Sequence, residues 1–400
     1  MQSIQTVSEN TIYVGASDRR LAKFENLFPI PRGVSYNAYV ILDEKTALLD
    51  TADASVGAQF LENVAAALDG RKLDYLIVDH MEPDHAAMIE AVLVRWPDLR
   101  LVVNAKTLPM LKMYFPTDSA AIDDALVVKE GDTLDLGKHK LTFVMAPMVH
   151  WPEVMMTFDT TTGTLFSADA FGTFGALEGA LFADEVDFAG KWLDDARRYY
   201  TNIVGKYGVQ VQALLKKAAA LDIRMILPLH GPVLSENLGY YLDLYNTWSS
   251  YGTESEGVVI AYTSVYGNTK TAVELLEKEL CACGCRKVSV CDLARCDMAE
   301  AVEDAFRYGK IVLATTTYNG TVFPFMREFI EELCERGFRN KTVGFVENGS
   351  WAPMAAKVMA KMLEGCKNLT YTAAGVHIRS AVNGANKEEI AALAKELCGG

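Results

Sequence analysis

Tyr75-Leu76-Ile77-Val78-Asp79-His80-Met81-Glu82-Pro83-Asp84-His85 is the stretch on which the reading of the first half turns. Its apolar start reads as a buried strand. The six residues that follow put two imidazoles and two carboxylates at that strand's carboxyl end. Nitrogen and oxygen donors in such density suit a pair of metal ions. Glutamate at the second donor position moves the chemistry from hydrolysis towards redox work. A histidine in place of Glu82 would remove a negative charge and suit two zinc ions around a hydrolytic water.

Three more residues of ligand type each end a strand-like run. His150 follows Leu141–Val149, Asp169 follows Leu165–Ala168, and His230 follows Met225–Leu229. The chain has six histidines, and four belong to this set. The other two, His139 beside lysines and His377 beside Arg379, read as solvated or structural. A single strand-end Asp or His usually caps a turn, but seven such residues in this pattern point to a site. Four neutral imidazoles and three carboxylates contribute three negative charges. A bridging hydroxide would complete the balance for two divalent ions and favour the +3 state on oxidation. Imidazole with carboxylate suits iron or manganese, the absence of thiolate argues against a structural zinc site, and of the two iron is the metal expected.

The first half alternates short strands with helices. Val40–Leu42 and Ala47–Asp50 read as a hairpin. Strands are expected at Leu73–Val78, Leu101–Val103, Leu141–Met145, Leu165–Ser167 and Arg224–Leu227, with helices at Val56–Leu68 and Trp192–Tyr200. Tyr251-Gly252-Thr253-Glu254-Ser255-Glu256-Gly257 reads as a polar linker, so domains are expected at 1–250 and 257–400. The second half is more regular. Its strands are Val258–Tyr262, Lys287–Cys291, Lys310–Ala314, Thr342–Val346 and Thr370–Val376. Its helices are Thr269–Leu280, Met298–Phe306, Pro324–Arg336, Pro353–Leu363 and Lys387–Leu397. This alternation predicts a doubly wound parallel sheet, which binds ligands at the carboxyl ends of its strands.

Three loops stand at those ends. Ser264-Val265-Tyr266-Gly267-Asn268-Thr269 opens the first helix with hydroxyls, a glycine and free N–H groups, which together form an anion cradle. It is neither G-x-G-x-x-G nor a P-loop with its lysine. Thr317-Tyr318-Asn319-Gly320 follows the third strand and Asn348-Gly349-Ser350-Trp351 the fourth. Tyr318 and Trp351 can sandwich a flat ring beside the phosphate cradle, so FMN is the ligand expected.

Half of the 400 residues are apolar, enough for substantial cores, and no apolar run reaches the length of a membrane span. The net charge of −14 argues against nucleic acid as a partner. Met1-Gln2-Ser3-Ile4-Gln5-Thr6 lacks the basic and apolar regions of a signal peptide, so a cytoplasmic location is expected. All eight cysteines fall after residue 280. Cys281-Ala282-Cys283-Gly284-Cys285 lacks CxxC spacing and reads as reduced thiols at a helix end.

With both constellations in view, the chain resembles the flavodiiron proteins, also called A-type flavoproteins. The pattern H-x-E-x-D-H, followed by distant H, D and H, is complete here, and the likeness extends over nearly the whole chain. The resemblance implies a metallo-β-lactamase-like αββα sandwich followed by a flavodoxin-like domain. It implies one iron on His80, Glu82 and His150, a second on Asp84, His85 and His230, and Asp169 between them. In some relatives the histidine matching His85 is displaced from the metal. Thr316 stands where a proline is common, and Asn348-Gly349-Ser350 replaces a more aromatic turn.

The implied activity is reduction of dioxygen to water, of nitric oxide to nitrous oxide, or of both. Electrons would come through FMN from a separate donor, either rubredoxin or a rubredoxin reductase system, with reduced deazaflavin as the alternative. The implied assembly is a head-to-tail homodimer, or a dimer of dimers. Tyr199 or Tyr200 is a candidate hydrogen-bond donor near the substrate, with simple core packing as the alternative. Two other readings compete: a zinc hydrolase carrying a flavodoxin appendage, and an electron-transfer protein whose first domain is only a scaffold.

Overall fold

The computed structural model describes residues 3–116 and 120–399. The chain divides into two compact units: Met1–Tyr200 with Val209–Tyr245, and Thr201–Gly208 with Asn246–Gly400. Among the described residues no helix is long and apolar enough to cross a membrane.

Two sheets form the first unit. One runs in the order Gln5–Ser8, Thr11–Tyr13, Tyr39–Ile41, Ala47–Leu49, Tyr75–Ile77, Arg100–Asn104, Leu126–Val128. Its pairings are antiparallel as far as Ala47–Leu49 and parallel beyond. The expected hairpin is present, with Val40 opposite Leu48. The other sheet runs Thr133–Asp135, Lys140–Met145, Met155–Asp159, Thr164–Phe166, Met225–Leu227. Tyr39, Ile77 and Val102 of the first sheet share one apolar cluster with Phe143, Met155, Phe166 and Leu227 of the second, which makes a sandwich core.

The helix Gly57–Leu68 buries Phe60, Asn63, Val64, Ala67 and Leu68, the stripe that a 3.6-residue period dictates. Asp53 caps the short turn Ala54–Val56 that leads into this helix by accepting the Ser55 N–H at 2.7 Å, and left-handed Asp69 ends the helix. The expected helix at Trp192–Tyr200 is helical at Leu193–Tyr199, between wider turns at Phe188–Trp192 and Tyr200–Val204.

The second unit is a doubly wound sheet in the order Val288–Asp292, Ser255–Tyr262, Tyr308–Tyr318, Thr342–Asn348, with these strands parallel throughout. Strand residues alternate between two helix layers. Val259, Ala261, Ile311 and Leu313 pack with the helices Met298–Arg307, Pro324–Glu335 and Ala355–Met362. Val258, Ile260, Val312 and Ala314 pack with Asn268–Ala282 and Gly384–Cys398. Two expectations need correction. The first strand starts at Ser255, inside the stretch read as linker, because the Ser255 backbone pairs with Tyr308 whatever its side-chain polarity. The fifth strand is broken into Thr370–Tyr371 and Val376–Ile378, each paired with Thr342–Asn348.

Candidate functional site

All seven candidate ligands converge within the first unit, and they are delivered by the ends of four strands from both sheets. His80 to His85 follow Tyr75–Ile77, with Pro83 setting the first turn of a short helix at Pro83–Ala86. His150 follows Lys140–Met145, Asp169 follows Thr164–Phe166, and His230 follows Met225–Leu227. Two groups result: His80, Glu82, His150 and Asp169, and beside them Asp84, His85 and His230. Within each group one donor atom per residue lies within 4.8 Å of the others.

Asp169 joins the groups. Its Oδ2 is 3.3 Å from His80 Nε2 and 3.1 Å from His150 Nε2, while its Oδ1 is 3.2 Å from His85 Nε2. Glu82 lies 3.0 Å from His150 Nε2. Asp84 lies 3.3 Å from both His85 Nε2 and His230 Nε2. His85 points into the centre: its Nε2 is 3.0 Å from that of His230.

The donor set fits metal ions. His80 Nε2, both oxygens of Asp84 and Asp169 Oδ1 are buried with no hydrogen-bond partner among the described residues. Unpaired buried groups of this kind are costly unless a cation takes them up. The titration pattern agrees. Burial pushes the His80 imidazole down, but Asp169, Glu153 and Glu82 outweigh it and hold the ring well above its ordinary range. His150 is raised to about 9, since hydrogen bonds to Asp169 and Glu82 overcome its burial. Asp169 sits well below the carboxylate range because the imidazoles around it overcome its own burial. The pocket is built for positive charge between its carboxylates.

The surrounding residues set the ring orientations. Glu153 Oε1 is 2.9 Å from His80 Nδ1 and accepts the Met81 N–H at 2.9 Å. The Ser35 carbonyl accepts from His230 Nδ1 at 2.7 Å, and the Ser35 hydroxyl accepts the Gly231 N–H at 2.7 Å. Asp50 Oδ1 accepts the N–H groups of Asp79 and His80. These contacts leave Nε2 of His80 and His230 facing the centre. Glu25 stands on an exposed turn near Glu82. Burial and that neighbouring carboxylate push its carboxyl up to about 7.

The two tyrosines part company. Tyr199 is fully buried with its ring 5.4 Å from that of His230, and its hydroxyl has no hydrogen-bond partner among the described residues. Burial and the carboxylates of Asp169, Asp84 and Glu82 hold its phenol well above the ordinary range. Tyr200 packs 5.0 Å from Tyr245 instead. His139 and His377 lie outside the site, paired with Asp159 and Glu347 at 2.7 Å each. Glu153, Glu25 and Ser35 escaped the sequence reading. No local pattern distinguishes them, and only the folded chain brings them to the ligands.

In the second unit the three loops lie at the carboxyl ends of neighbouring strands and are tied together. Ser264 Oγ accepts the Gly267 N–H at 3.1 Å, and left-handed Gly267 leads into the helix Asn268–Ala282. Asn348 Nδ2 reaches Thr269 Oγ1 at 3.5 Å. Thr317 Oγ1 accepts from the N–H groups of Met354 and Ala355 at 2.9 and 3.2 Å. Thr316, the departure from proline, donates its hydroxyl to the Asn348 carbonyl at 3.1 Å and so links two loops. Asn319 and Gly320, both at positive φ, turn the hairpin in which Thr317 faces Val322. Ser350 hydrogen-bonds Ser380 through their hydroxyls. Val265 and Tyr318 are exposed, and Tyr266 and Trp351 stand almost free at 93% and 83% exposure. Aromatic faces left open over polar loops suit a flat, polar-edged ring.

Comparisons with known proteins agree with this geometry. A family model described as ODP family beta lactamase matches residues 34–231, and a flavodoxin domain model matches residues 259–394. The anaerobic nitric oxide reductase flavorubredoxin of Escherichia coli O1:K1 is 30% identical over 363 residues, covering 90% of this chain and 74% of that protein. The solved rubredoxin oxygen:oxidoreductase of Desulfovibrio gigas superposes with a TM-score of 0.91 at 25% identity, covering 99% of this chain and 98% of that one. The flavodiiron protein of Giardia intestinalis gives a TM-score of 0.92 at 23% identity, over 100% of this chain and 97% of the other, a likeness of fold.

Proposed function

The chain belongs to the flavodiiron proteins and is an oxidoreductase, and from that premise we propose that it reduces dioxygen to water, nitric oxide to nitrous oxide, or both. One observation carries this reading: two adjoining groups of nitrogen and oxygen donors share buried Asp169, with Glu82 rather than histidine in the first group. In this reading His80, Glu82 and His150 would hold one iron, Asp84, His85 and His230 would hold the other, and Asp169, whose two oxygens face the two groups, would serve both. The loops Ser264–Thr269, Thr317–Gly320 and Asn348–Trp351 hold FMN. When bound, the irons and flavin supply electrons and an open coordination position for a small diatomic.

The chain's own part is geometry and exclusion of water. Glu153 and Ser35 lock the imidazoles, the short helix at Pro83 presents Asp84 and His85 together, and the Tyr199 hydroxyl is left free to donate towards a bound substrate. Electrons arrive from a rubredoxin-type donor, with reduced deazaflavin as the alternative. The working assembly is a head-to-tail homodimer in the cytoplasm, and free thiols at all eight cysteines suit that compartment.

The deciding experiment measures metal and flavin content, then mixes fully reduced protein anaerobically with dioxygen and nitric oxide in turn. About two irons and one FMN per chain with fast reoxidation is the expected result, and the two rates rank the substrates. Zinc after growth with ample iron, together with slow flavin-only reoxidation, would overturn the reading in favour of a hydrolase.

A further inference from the structure

Besides the two cofactor sites, the second unit brings a pair of thiols together. Cys334 lies in the last turn of the helix Pro324–Glu335, and Cys366 lies in the turn after the helix Ala355–Met362. Their sulfurs are 3.5 Å apart across 32 residues of chain, and both pack against the cluster that holds Leu333, Met359 and Leu363. We propose that Cys334 and Cys366 are a reversible dithiol–disulfide pair, oxidised by hydrogen peroxide and restored by cellular thiols.

The two sulfurs are not equivalent. The Cys334 hydrogen bond lowers the Cys366 thiol, burial opposes it, and Arg339 lowers it further. The contact with Cys366, burial and the nearby Glu331 and Glu335 raise Cys334. Cys366 also lines an open cleft of about 560 Å³ with Lys361, Asn368 and Tyr371, which gives a small oxidant access. A thiolate favoured by its surroundings, partly open to solvent and in contact with a second thiol is the arrangement of a redox-responsive pair.

The chemistry balances. The Cys366 thiolate attacks one peroxide oxygen, the O–O bond breaks, and the departing hydroxide takes a proton to become water. Cys334 then gives up its proton and attacks the Cys366 sulfenic sulfur. The S–S bond forms, the S–O bond breaks and a second water leaves. Two electrons from the thiols have reduced one peroxide to two waters. The bridge ties the far ends of two helices whose near ends follow the Thr317–Gly320 and Asn348–Trp351 loops.

The test treats reduced full-length protein with one equivalent of hydrogen peroxide, blocks remaining thiols with N-ethylmaleimide and maps unreduced peptides by mass spectrometry. Mapping is needed because Cys291 and Cys296 are also close enough to influence one another. The expected product is a Cys334–Cys366 linked peptide, two hydrogens lighter than its parts and released by dithiothreitol. In C334S, Cys366 should instead be trapped by dimedone as the sulfenic acid. Recovery of both thiols as maleimide adducts after the peroxide is consumed would overturn the proposal. So would oxidation of Cys366 to the sulfinic acid in the unmodified chain without any bridge.

Discussion

His80 and Glu153 meet through Nδ1 and Oε1 at 2.9 Å, and both side chains are fully shut off from solvent. Glu153 thereby fixes the ring whose opposite nitrogen faces the metal space and makes that nitrogen a stronger donor. Outer partners of this kind are worth roughly 10- to 100-fold in metal affinity. Glu153→Ala should weaken iron retention by that order in competition with a chelator, while Glu153→Gln, which keeps an acceptor oxygen, should lose less. Equal retention in all three proteins would remove Glu153 from the account.

Glu82 sets the charge of the first donor group. Glu82→His should retain less iron and turn over more slowly, with a larger share of zinc after growth in mixed metals. Elemental analysis and reoxidation rates check both halves, and unchanged turnover would sink the claim that Glu82 tunes the site.

Trp351 is 83% exposed and holds no packing role in the sheet behind it. Stacking on a flat ring contributes about 0.5–1.5 kcal/mol beyond the area it buries. Trp351→Ala should therefore weaken FMN by roughly tenfold in a fluorescence-quenching titration of the apoprotein, and Trp351→Phe by much less. The melting temperature of the apoprotein should not move.

Lys341 is buried, and its ammonium donates to the carbonyls of Phe306 and Tyr308 at 2.6 and 2.7 Å. Burial pushes it down to about 8 from its ordinary 10.5. Between those values the unfolded chain holds the proton that the folded chain has shed, so stability rises with pH there, by at most about 1.4 kcal/mol per unit. Urea unfolding of the whole chain from pH 7.5 to 10 should show this slope, and Lys341→Met should flatten it.

The seven candidate ligands stand out in the sequence because each stands at the end of a short apolar run, where strand period and donor type are both local signals, and the fold brings them together. Glu153 was not, because its partner His80 lies 73 residues away and nothing nearby marks it. The strands Leu126–Val128 and Thr133–Asp135 are three residues long, too short for a period to declare itself. Ser255 and Glu256 were read as linker from their polarity, yet a strand is held by its backbone and can run polar where a face is open. The doubly wound half was clearer: its strands and helices are longer, and both sheet faces are covered, so apolar runs mark nearly every strand.

Tyr199 offers a test that separates packing from chemistry. Its ring fills space against Phe24, Phe174 and His230, with centroids 6.4, 5.1 and 5.4 Å away. Its hydroxyl, in contrast, is buried without a partner among the described residues. Removing an unpaired buried hydroxyl sacrifices no hydrogen bond and relieves a desolvation cost of about 1–3 kcal/mol. Tyr199→Phe should therefore be as stable as the parent or more so, with iron and FMN content unchanged. If the hydroxyl donates to a substrate beside Asp169 and Asp84, reoxidation of the reduced variant should slow several-fold with dioxygen, nitric oxide or both. A variant equally stable and equally fast would show that Tyr199 only packs. Tyr200→Phe is the matched control: its ring packs against Tyr245 rather than His230, and its rates should stay those of the parent.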